Sequence, residues 1–219
     1  MSEPDFALDR HPLIFDRPHL TRPYTWVGHI PFAYLLIDLL RPSLLVELGT
    51  DSGNSYLAFC QAMAKLDVAG RCIAIDSWKG DQHARHYGDE VYETLKGYHD
   101  PLYGGFSELR RLFFDEAVDA FADGSIDLLH IDGLHTYEAV KHDFETWLPK
   151  LSSRAVVLFH DTAECERGFG VWKLLSELRQ SYSVFEFFHS HGLGVVQVGK
   201  EPIAAFEAFM RLSLIHISE

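Results

Sequence analysis

The fold is decided by one segment early in the chain, Leu44-Leu-Val-Glu-Leu-Gly-Thr-Asp-Ser-Gly53. It consists of a short apolar run and a turn that holds two glycines, and apolar residues at helical spacing follow between Ser55 and Lys65. Continuous apolar runs of this length are typical of strands that are buried on both faces of a parallel sheet. The segment therefore predicts a buried strand, a tight turn and a helix.

The same alternation of apolar runs and helical spacing recurs along the chain. It predicts a doubly wound, Rossmann-like α/β sheet of about seven mostly parallel strands. Two closing runs, Ser183–Phe188 and Gly194–Val198, predict a C-terminal hairpin in which an edge strand runs antiparallel. The other predicted strands are Cys72–Asp76, Ile126–Asp132 and Ala155–Phe159, and the other predicted helices are 31–42, 115–122, 137–151, 171–178 and 202–211.

A chain of 219 residues is large enough for one domain and too short for two ordinary ones. We expect an irregular, proline-rich arm over residues 1–30, a domain over 31–199, and a C-terminal helix and tail over 200–219. Residues 212–219 resemble translated sequencing-adapter read-through, so we leave them out of the fold and expect the natural chain to be cut short there.

Charge and hydropathy exclude several classes of partner. Lys and Arg number 19 against 32 Asp and Glu, a net charge of −13, which argues against a nucleic-acid backbone as the ligand. No apolar run reaches the roughly 20 residues that a membrane-spanning helix needs, and the start of the chain is acidic where a secretory signal would be basic. We expect a cytoplasmic protein without a membrane span.

In this fold class, ligands bind beyond the carboxyl ends of the strands. The turn with Gly49 and Gly53 would let a ligand approach the backbone at a helix N-terminus, and it matches neither a P-loop nor the dinucleotide fingerprint. Glu47 favours a ligand that carries an ammonium or sulfonium group. Asp76, at the end of the next strand, could accept both hydroxyls of a ribose. The alternatives are a turn without a ligand and a capping role for Asp76.

The most informative residues follow two later strands. Asp132 and Asp161 are expected at one rim of the sheet, where two carboxylates repel each other unless a proton or a divalent cation lies between them. Oxygen ligands favour Mg²⁺ over zinc. His135, three residues beyond Asp132, could act as a general base. The alternative is that both aspartates cap helices and that His135 is an ordinary loop histidine.

Four segments together resemble class I S-adenosylmethionine-dependent methyltransferases: Val46-Glu-Leu-Gly-Thr-Asp-Ser-Gly53, Ala74-Ile-Asp-Ser-Trp78, Ile126-Asp-Leu-Leu-His-Ile-Asp-Gly-Leu-His-Thr-Tyr-Glu138 and Phe159-His-Asp-Thr162. The most similar branch contains metal-dependent sugar O-methyltransferases of macrolide biosynthesis and methyltransferase domains found beside glycosyltransferases. The resemblance covers about residues 31–199.

The resemblance implies a role for each matching residue. It places S-adenosylmethionine against Glu47, Gly49, Thr50, Gly53, Asp76 and Trp78, with Trp78 beside the adenine or ribose. It implies that Asp132 and Asp161 bind Mg²⁺ and that His135 is the base. The macrolide enzymes carry a third acidic ligand where this chain has His160, so His160 completes the predicted metal set.

The polar segment between Gly80 and Gly105 is expected to cover the ligand crevice, because insertions after a strand tend to do so in this fold. Four of its side chains are expected at the acceptor site: His83, His86, Tyr87 and Tyr98.

The function implied by the resemblance is an S-adenosylmethionine-dependent O-methyltransferase, assisted by a divalent metal, that acts on a hydroxyl of a sugar, a glycan or a glycosylated natural product. One alternative acceptor is a catechol-type phenol. Another alternative is a catalytically silent binding module beside a glycan-synthesis enzyme. The protein partners considered are a second copy of the chain and a fused or neighbouring glycosyltransferase.

Overall fold

The computed structural model describes residues 6–80 and 88–215, with side chains described as far as Arg211. The strands are β1 (Leu44–Leu48), β2 (Arg71–Asp76), β3 (Ser107–Arg111), β4 (Ile126–Ile131), β5 (Leu151–His160), β6 (Ser183–Phe187) and β7 (Leu193–Gln197). The α-helices are α1 (Ile30–Leu40), α2 (Asn54–Lys65), α3 (Asp89–Tyr103), α4 (Phe114–Ala117), α5 (Tyr137–Trp147), α6 (Val171–Leu178) and α7 (Ala204–Ile215).

The seven strands form one sheet in the order β3-β2-β1-β4-β5-β7-β6. Strands β1 to β5 pair in parallel, while β7 pairs antiparallel with both β5 and β6. The predicted doubly wound, mostly parallel fold is therefore confirmed. The strand order reverses between β1 and β4, so the carboxyl ends of these two strands form the crevice where such sheets bind ligands.

The prediction that the antiparallel strand lies at the edge is wrong. Strand β7 lies between β5 and β6, and β6 forms the edge. The reason is composition: Leu193, Val195 and Val196 of β7 are fully buried, whereas β6 begins with the exposed Ser183 and carries the half-buried Glu186. The more apolar strand takes the interior position, where both of its faces are covered.

Helices cover both faces of the sheet. Helices α1, α2, α3 and α7 pack on one face, and α4, α5 and α6 pack on the other, so that two apolar clusters sandwich the strands. Helix α1 packs against α2 and α7, and nine of its 11 residues are buried. None of the helices within residues 6–80 and 88–215 is long and apolar enough to cross a membrane.

Several element boundaries differ from the sequence-based ones. Strand β3 escaped prediction because Ser107–Arg111 is polar and charged, as suits the opposite edge of the sheet. The helix predicted over 115–122 is only the short α4, followed by a 3₁₀ turn at Val118–Ala120. Helix α5 ends at Trp147, and Leu151 already belongs to β5. The last helix begins at Ala204 and continues past Arg211 to Ile215.

Helix α7 suggests how a truncation should behave. Phe206 and Met210, which precede residue 212, are buried against the core and anchor this helix. Deleting residues 212–219 should leave the melting temperature nearly unchanged, whereas deleting residues 204–219 should lower it by several degrees, because a buried Phe contributes roughly 1.5–3 kcal/mol. Thermal denaturation of both truncated chains measures this. A large fall on removal of 212–219 alone would show that the tail packs on the domain.

Candidate active site

Two adjoining cavities open at the carboxyl ends of β1, β2 and β4. The cluster cavity, of about 420 Å³, is lined by Trp26, Thr50, Asp132, His160, Asp161 and their neighbours. The aromatic cavity, of about 310 Å³, is lined by Asp76, Leu112, Phe113, Phe114 and others. Gly49, Asp51, Asp132 and His135 line both cavities. The two cavities therefore share a wall at the point where the strand order reverses.

The turn after β1 requires glycine at both expected positions. Gly49 has φ +85°, and a Cβ atom there would lie 2.1 Å from the carbonyl oxygen of Asp132. Gly53 has φ +88°, and its Cβ would lie 2.5 Å from Cδ1 of Leu95. Gly49 faces both cavities, whereas Gly53 lies behind them at the start of α2 and lines neither. Thr50 is buried and lines the cluster cavity.

Asp76 holds this turn in place. Its Oδ2 accepts hydrogen bonds from the backbone N–H groups of Thr50 (2.8 Å) and Asp51 (3.0 Å), and its Oδ1 accepts one from Trp78 N (2.7 Å). A carboxylate offers about four acceptor positions, so these three bonds leave room for one further donor rather than the two ribose hydroxyls that we expected. The carboxylate still lines the aromatic cavity.

Besides Gly53, two residues of the predicted cofactor set, Glu47 and Trp78, lie outside both cavities. Glu47 is fully enclosed, and its Oε2 accepts a hydrogen bond from His130 Nδ1 at 2.8 Å, so its expected direct contact with the cofactor is wrong. Burial raises the pKa of Glu47 more than His130 lowers it. Trp78 is also fully buried, and its Nε1 donates to the carbonyl oxygen of Asp51 at 3.0 Å. Trp78 supports the turn from behind and does not line an adenine or ribose site.

The structure brings Asp132, His135 and Asp161 together. His135 Nε2 lies 2.8 Å from Asp161 Oδ2 and 3.2 Å from Asp132 Oδ1. One ligand atom from each residue can be chosen such that all three lie within 4.8 Å of one another. Burial alone would lower the pKa of His135, but the hydrogen bonds to both carboxylates raise it to about 9. The expected rim of two carboxylates and one histidine is thus present, and it can hold either a proton or a cation.

His160 lies on the other side of Asp132. Its Nδ1 is 3.2 Å from Asp132 Oδ1, and its Nε2 donates to the carbonyl oxygen of Ser190 at 3.2 Å. Burial lowers the pKa of His160, but the charge of Asp132 and hydrogen bonds to both carboxylates raise it to about 10. His160 is therefore a buried imidazolium in the metal-free protein. Within the described residues, the three-residue group with metal-ligand spacing is Asp132, His135 and Asp161, and His160 stays a predicted ligand beside it.

Sequence reasoning missed most of the remaining cavity wall. Trp26 comes from the N-terminal arm, and Phe169 follows β5 and stacks on His135 with ring centroids 5.0 Å apart. Phe113 is 53% exposed beside the aromatic cavity. Phe113 follows β3, so the strand-end rule would have found it had that polar strand been recognised. No comparable signal marks Trp26.

The four residues predicted at the acceptor site lie in the segment that follows β2. His83, His86 and Tyr87 lie outside the described residues. Tyr98 lies on α3 with its ring centroid 5.8 Å from that of His19, and both line a separate cavity of about 720 Å³. Tyr98 therefore does not line the cluster cavity or the aromatic cavity.

This chain is similar to known proteins both in sequence and in fold. A family model described as a methyltransferase domain matches residues 46–162. The uncharacterized protein y4gI of Sinorhizobium fredii is 50% identical over 186 residues, which are 84% of this chain and 20% of that protein. The chain thus spans about a fifth of the length of this relative.

Solved structures share the fold at low identity. Cofactor-bound Rv0187 from MTB has a TM-score of 0.63 at 15% identity, over 89% of this chain and 90% of that one. The O-methyltransferase TomG from Streptomyces achromogenes, involved in tomaymycin synthesis and solved with S-adenosylmethionine, has a TM-score of 0.59 at 15% identity. That match covers 90% of this chain and 91% of TomG.

The paired histidines predict how stability depends on pH. The folded protein keeps protons on His135 and His160 up to pH values of about 9 and 10, whereas an unfolded histidine releases its proton near pH 6.5. This stabilisation is complete below pH 6.5 and is lost as the pH rises through 9 to 10. With divalent ions chelated, the melting temperature should fall between pH 7 and 10.5.

The matched variants are His160→Gln and His142→Gln. His142 is exposed and pairs with Asp115 at the surface. The melting temperature of His142→Gln should therefore fall above pH 7 as steeply as that of the parent. His160→Gln should melt lower than the parent at pH 7 and show a shallower fall above pH 8. An equally steep fall in both variants would contradict the buried imidazolium.

Proposed function

This chain belongs to the methyltransferase-domain family and has the class I methyltransferase fold, and we propose that it transfers a methyl group from S-adenosylmethionine to a hydroxyl oxygen of an acceptor. One observation carries the proposal: the glycine turn and the Asp132–His135–Asp161 cluster border the same two cavities. The first feature suits the methyl donor and the second suits a hydroxyl that must lose its proton. Methyl transfer from a sulfonium is a direct displacement, so the acceptor oxygen, the methyl carbon and the sulfur must lie in line.

The aromatic cavity supports the placement of the adenosine. Leu112, Phe113 and Phe114 offer an apolar surface to a base, and Asp76 at the opposite wall offers one remaining acceptor position to a ribose hydroxyl. The methionyl part then follows the glycine turn towards the cluster cavity. The carboxylates at the shared wall, Asp51 and Asp132, suit the positive charge of the sulfonium.

We assign the acceptor proton to His135. Its Nε2 lies between the two carboxylates, so a proton taken up there is held by charge-assisted hydrogen bonds on both sides. His135 must first be deprotonated to serve as a base, and its raised pKa means that this state becomes populated towards pH 9. Phe169 stacks on the imidazole and fixes the plane of the ring.

The donor set of Asp132, His135 and Asp161 also fits a divalent cation of the Mg²⁺ or Mn²⁺ type, because carboxylate oxygens dominate it and one imidazole completes it. Such an ion would occupy the lone pair of His135 that the base needs, so with the ion bound the loss of the acceptor proton would rest instead on the lowered pKa of a coordinated hydroxyl. His160, hydrogen-bonded to Asp132, orients that carboxylate from behind.

A sugar or glycan hydroxyl is the acceptor that the cluster cavity supports best. It is lined by four polar side chains that can hydrogen-bond to a polyhydroxylated ligand, Glu164, Glu166, Arg167 and His191. Trp26 and Phe169 provide two aromatic faces. A flat phenol offers few hydrogen-bonding groups to these polar side chains, which disfavours it.

Cofactor binding tests the first half of the proposal. Asp76→Ala should weaken binding of S-adenosylhomocysteine about tenfold to a hundredfold, since a charge-assisted hydrogen bond contributes roughly 1.5–3 kcal/mol. Isothermal calorimetry measures this, with Asp119→Ala as the control because Asp119 is exposed and lies in neither cavity. Unchanged affinity in Asp76→Ala would remove Asp76 from the cofactor site.

Methyl transfer tests the second half. With labelled S-adenosylmethionine and a panel of glycans and phenols, we expect label on a sugar hydroxyl. The His135→Ala variant should lose roughly 10²–10⁴ of the turnover, the usual range for a positioned base. In chelator, the parent's rate should rise with pH up to about 9, because His135 must lose its proton before it can accept one.

His142→Ala is the control, and it should keep the parent's rate and pH profile. Turnover of His135→Ala at the parent rate across pH 6 to 9 would contradict the assignment of the base. A rate that is unaffected by chelation would leave the cluster as a proton site without a cation. Label on phenols alone would contradict the sugar acceptor.

A further inference from the structure

We propose that the N-terminal arm is a working part of the active site, in which Thr21 and Asn54 are positioning residues that couple cofactor binding to the placement of Trp26 in the cavity wall. The inference rests on the proposed function, since it takes the glycine turn as the cofactor's site. It assigns a role to the arm, which lies outside the segment matched by the family model.

The arm is clamped to the glycine turn by hydrogen bonds of Thr21 and Asn54. Thr21 N donates to Asn54 Oδ1 at 2.9 Å, and Thr21 Oγ1 donates to the carbonyl oxygen of Ser52 at 2.6 Å. Asn54 Nδ2 donates to the carbonyl oxygen of Pro23 at 2.7 Å. Asn54 is the first residue of α2, is buried, and lines the cluster cavity. The residues that would hold the cofactor therefore also hold the arm.

A second amide on the same helix face extends the attachment. Gln61 lies seven residues, about two turns, after Asn54 and thus on the same side of α2. Its Oε1 accepts from His19 N at 2.8 Å, and its Nε2 donates to the carbonyl oxygen of Arg17 at 2.9 Å. Two buried side-chain amides thus satisfy backbone groups of an arm whose described residues, 6–29, form no strand and no helix longer than a 3₁₀ turn.

The hydrogen bonds of Thr21 and Asn54 hold the arm that carries Trp26, and the backbone conformation of Trp26 is unfavourable. Trp26 has φ +63°, a conformation that bulky residues avoid, and its side chain is only 3% exposed. Its buried Nε1 has no hydrogen-bond partner within the described residues. Both features cost free energy. The surrounding contacts must therefore hold Trp26 in place against its own preference.

One of those contacts, with His160, lies in the wall of the cluster cavity. The Trp26 ring packs against His130 with centroids 5.3 Å apart, against Phe59 at 5.6 Å and against His160 at 6.4 Å. It lines the cluster cavity together with Asp132 and His135. Trp26 thus forms a wall beside the groups that would receive the acceptor, although it belongs to a segment far away in sequence.

The coupling follows from the shared residues. A ligand that orders the turn strengthens the clamp, and a fixed clamp in turn favours the ligand, because such coupling is reciprocal. The strained Trp26 is then held most firmly when the cofactor is bound. The acceptor wall is therefore completed by the cofactor, and this order favours binding of the cofactor before the acceptor.

Hydrogen exchange of the full chain with S-adenosylhomocysteine tests the coupling without an acceptor. In the parent, the ligand should slow exchange in two separate regions, the turn at 49–57 and the arm at 17–29. Thr21→Val removes the hydroxyl bond to Ser52 and keeps the side-chain shape. It should keep the protection of the turn and lose about twofold to tenfold of that in the arm, the factor that a hydrogen bond of roughly 0.5–1.5 kcal/mol represents.

Thr21→Ser keeps the hydroxyl and should restore the protection of the arm. Fluorescence is a second measurement: because Trp78 also contacts the turn, the emission change caused by the ligand should shrink in Trp26→Phe and keep its full size in Trp172→Phe, whose tryptophan is 44% exposed on α6. Ligand binding by calorimetry with protection confined to 49–57 in the parent would overturn this inference and leave the proposed function standing. Absence of ligand binding in the parent would overturn both.

Discussion

The close contact between Gly49 and the backbone of Asp132 is the constraint on which the rest of the site depends. The turns that follow β1 and β4 touch at this point, where Asp132 N also donates to the carbonyl oxygen of Leu48 at 2.8 Å. Any side chain at residue 49 would push the two strand ends apart. Because they stay together, the glycine turn and the carboxylate of Asp132 share one wall, and a methyl donor and its acceptor can meet there.

Around this contact the protein balances an unusual amount of buried charge. Asp132 and Asp161 face two histidines that their charge keeps protonated, and the pKa of Asp161 falls to about 2 in return, because hydrogen bonds from both histidines outweigh burial. Such ions are tolerated in a low-dielectric site only when they are paired and hydrogen-bonded. His29, buried beside His160, shows the opposite response: burial and the neighbouring charge lower its pKa to about 3 and keep it neutral. The imidazolium of His160 thus stands at the position of the third acidic ligand of the enzymes that this chain resembles, and it orients Asp132.

The glycine turn connects this charged centre to the remainder of the molecule. Asp76 fixes the turn from β2, Trp78 supports it from behind, and the side chains of α2 attach the N-terminal arm to it. A short segment therefore links three elements that are distant in sequence. Such a hub explains how an arm of low regularity can contribute a buried tryptophan to the wall of the cavity.

The sequence predicts the buried parallel strands of the sheet, the position of the glycine turn and the meeting of Asp132, His135 and Asp161. These follow from rules that are local or topological: apolar runs form the buried strands, and parallel strands bring their carboxyl ends to one edge. It did not determine where side chains point. Glu47 and Trp78 lie beside the turn in sequence, yet both side chains are enclosed in the interior, because packing and partners such as His130 decide that direction.

The polar edge strand β3, the interior place of β7 and the docking of Trp26 depended likewise on contacts between distant segments. Such contacts leave no periodic signal in the sequence, so these three features become visible once the distant segments are packed together.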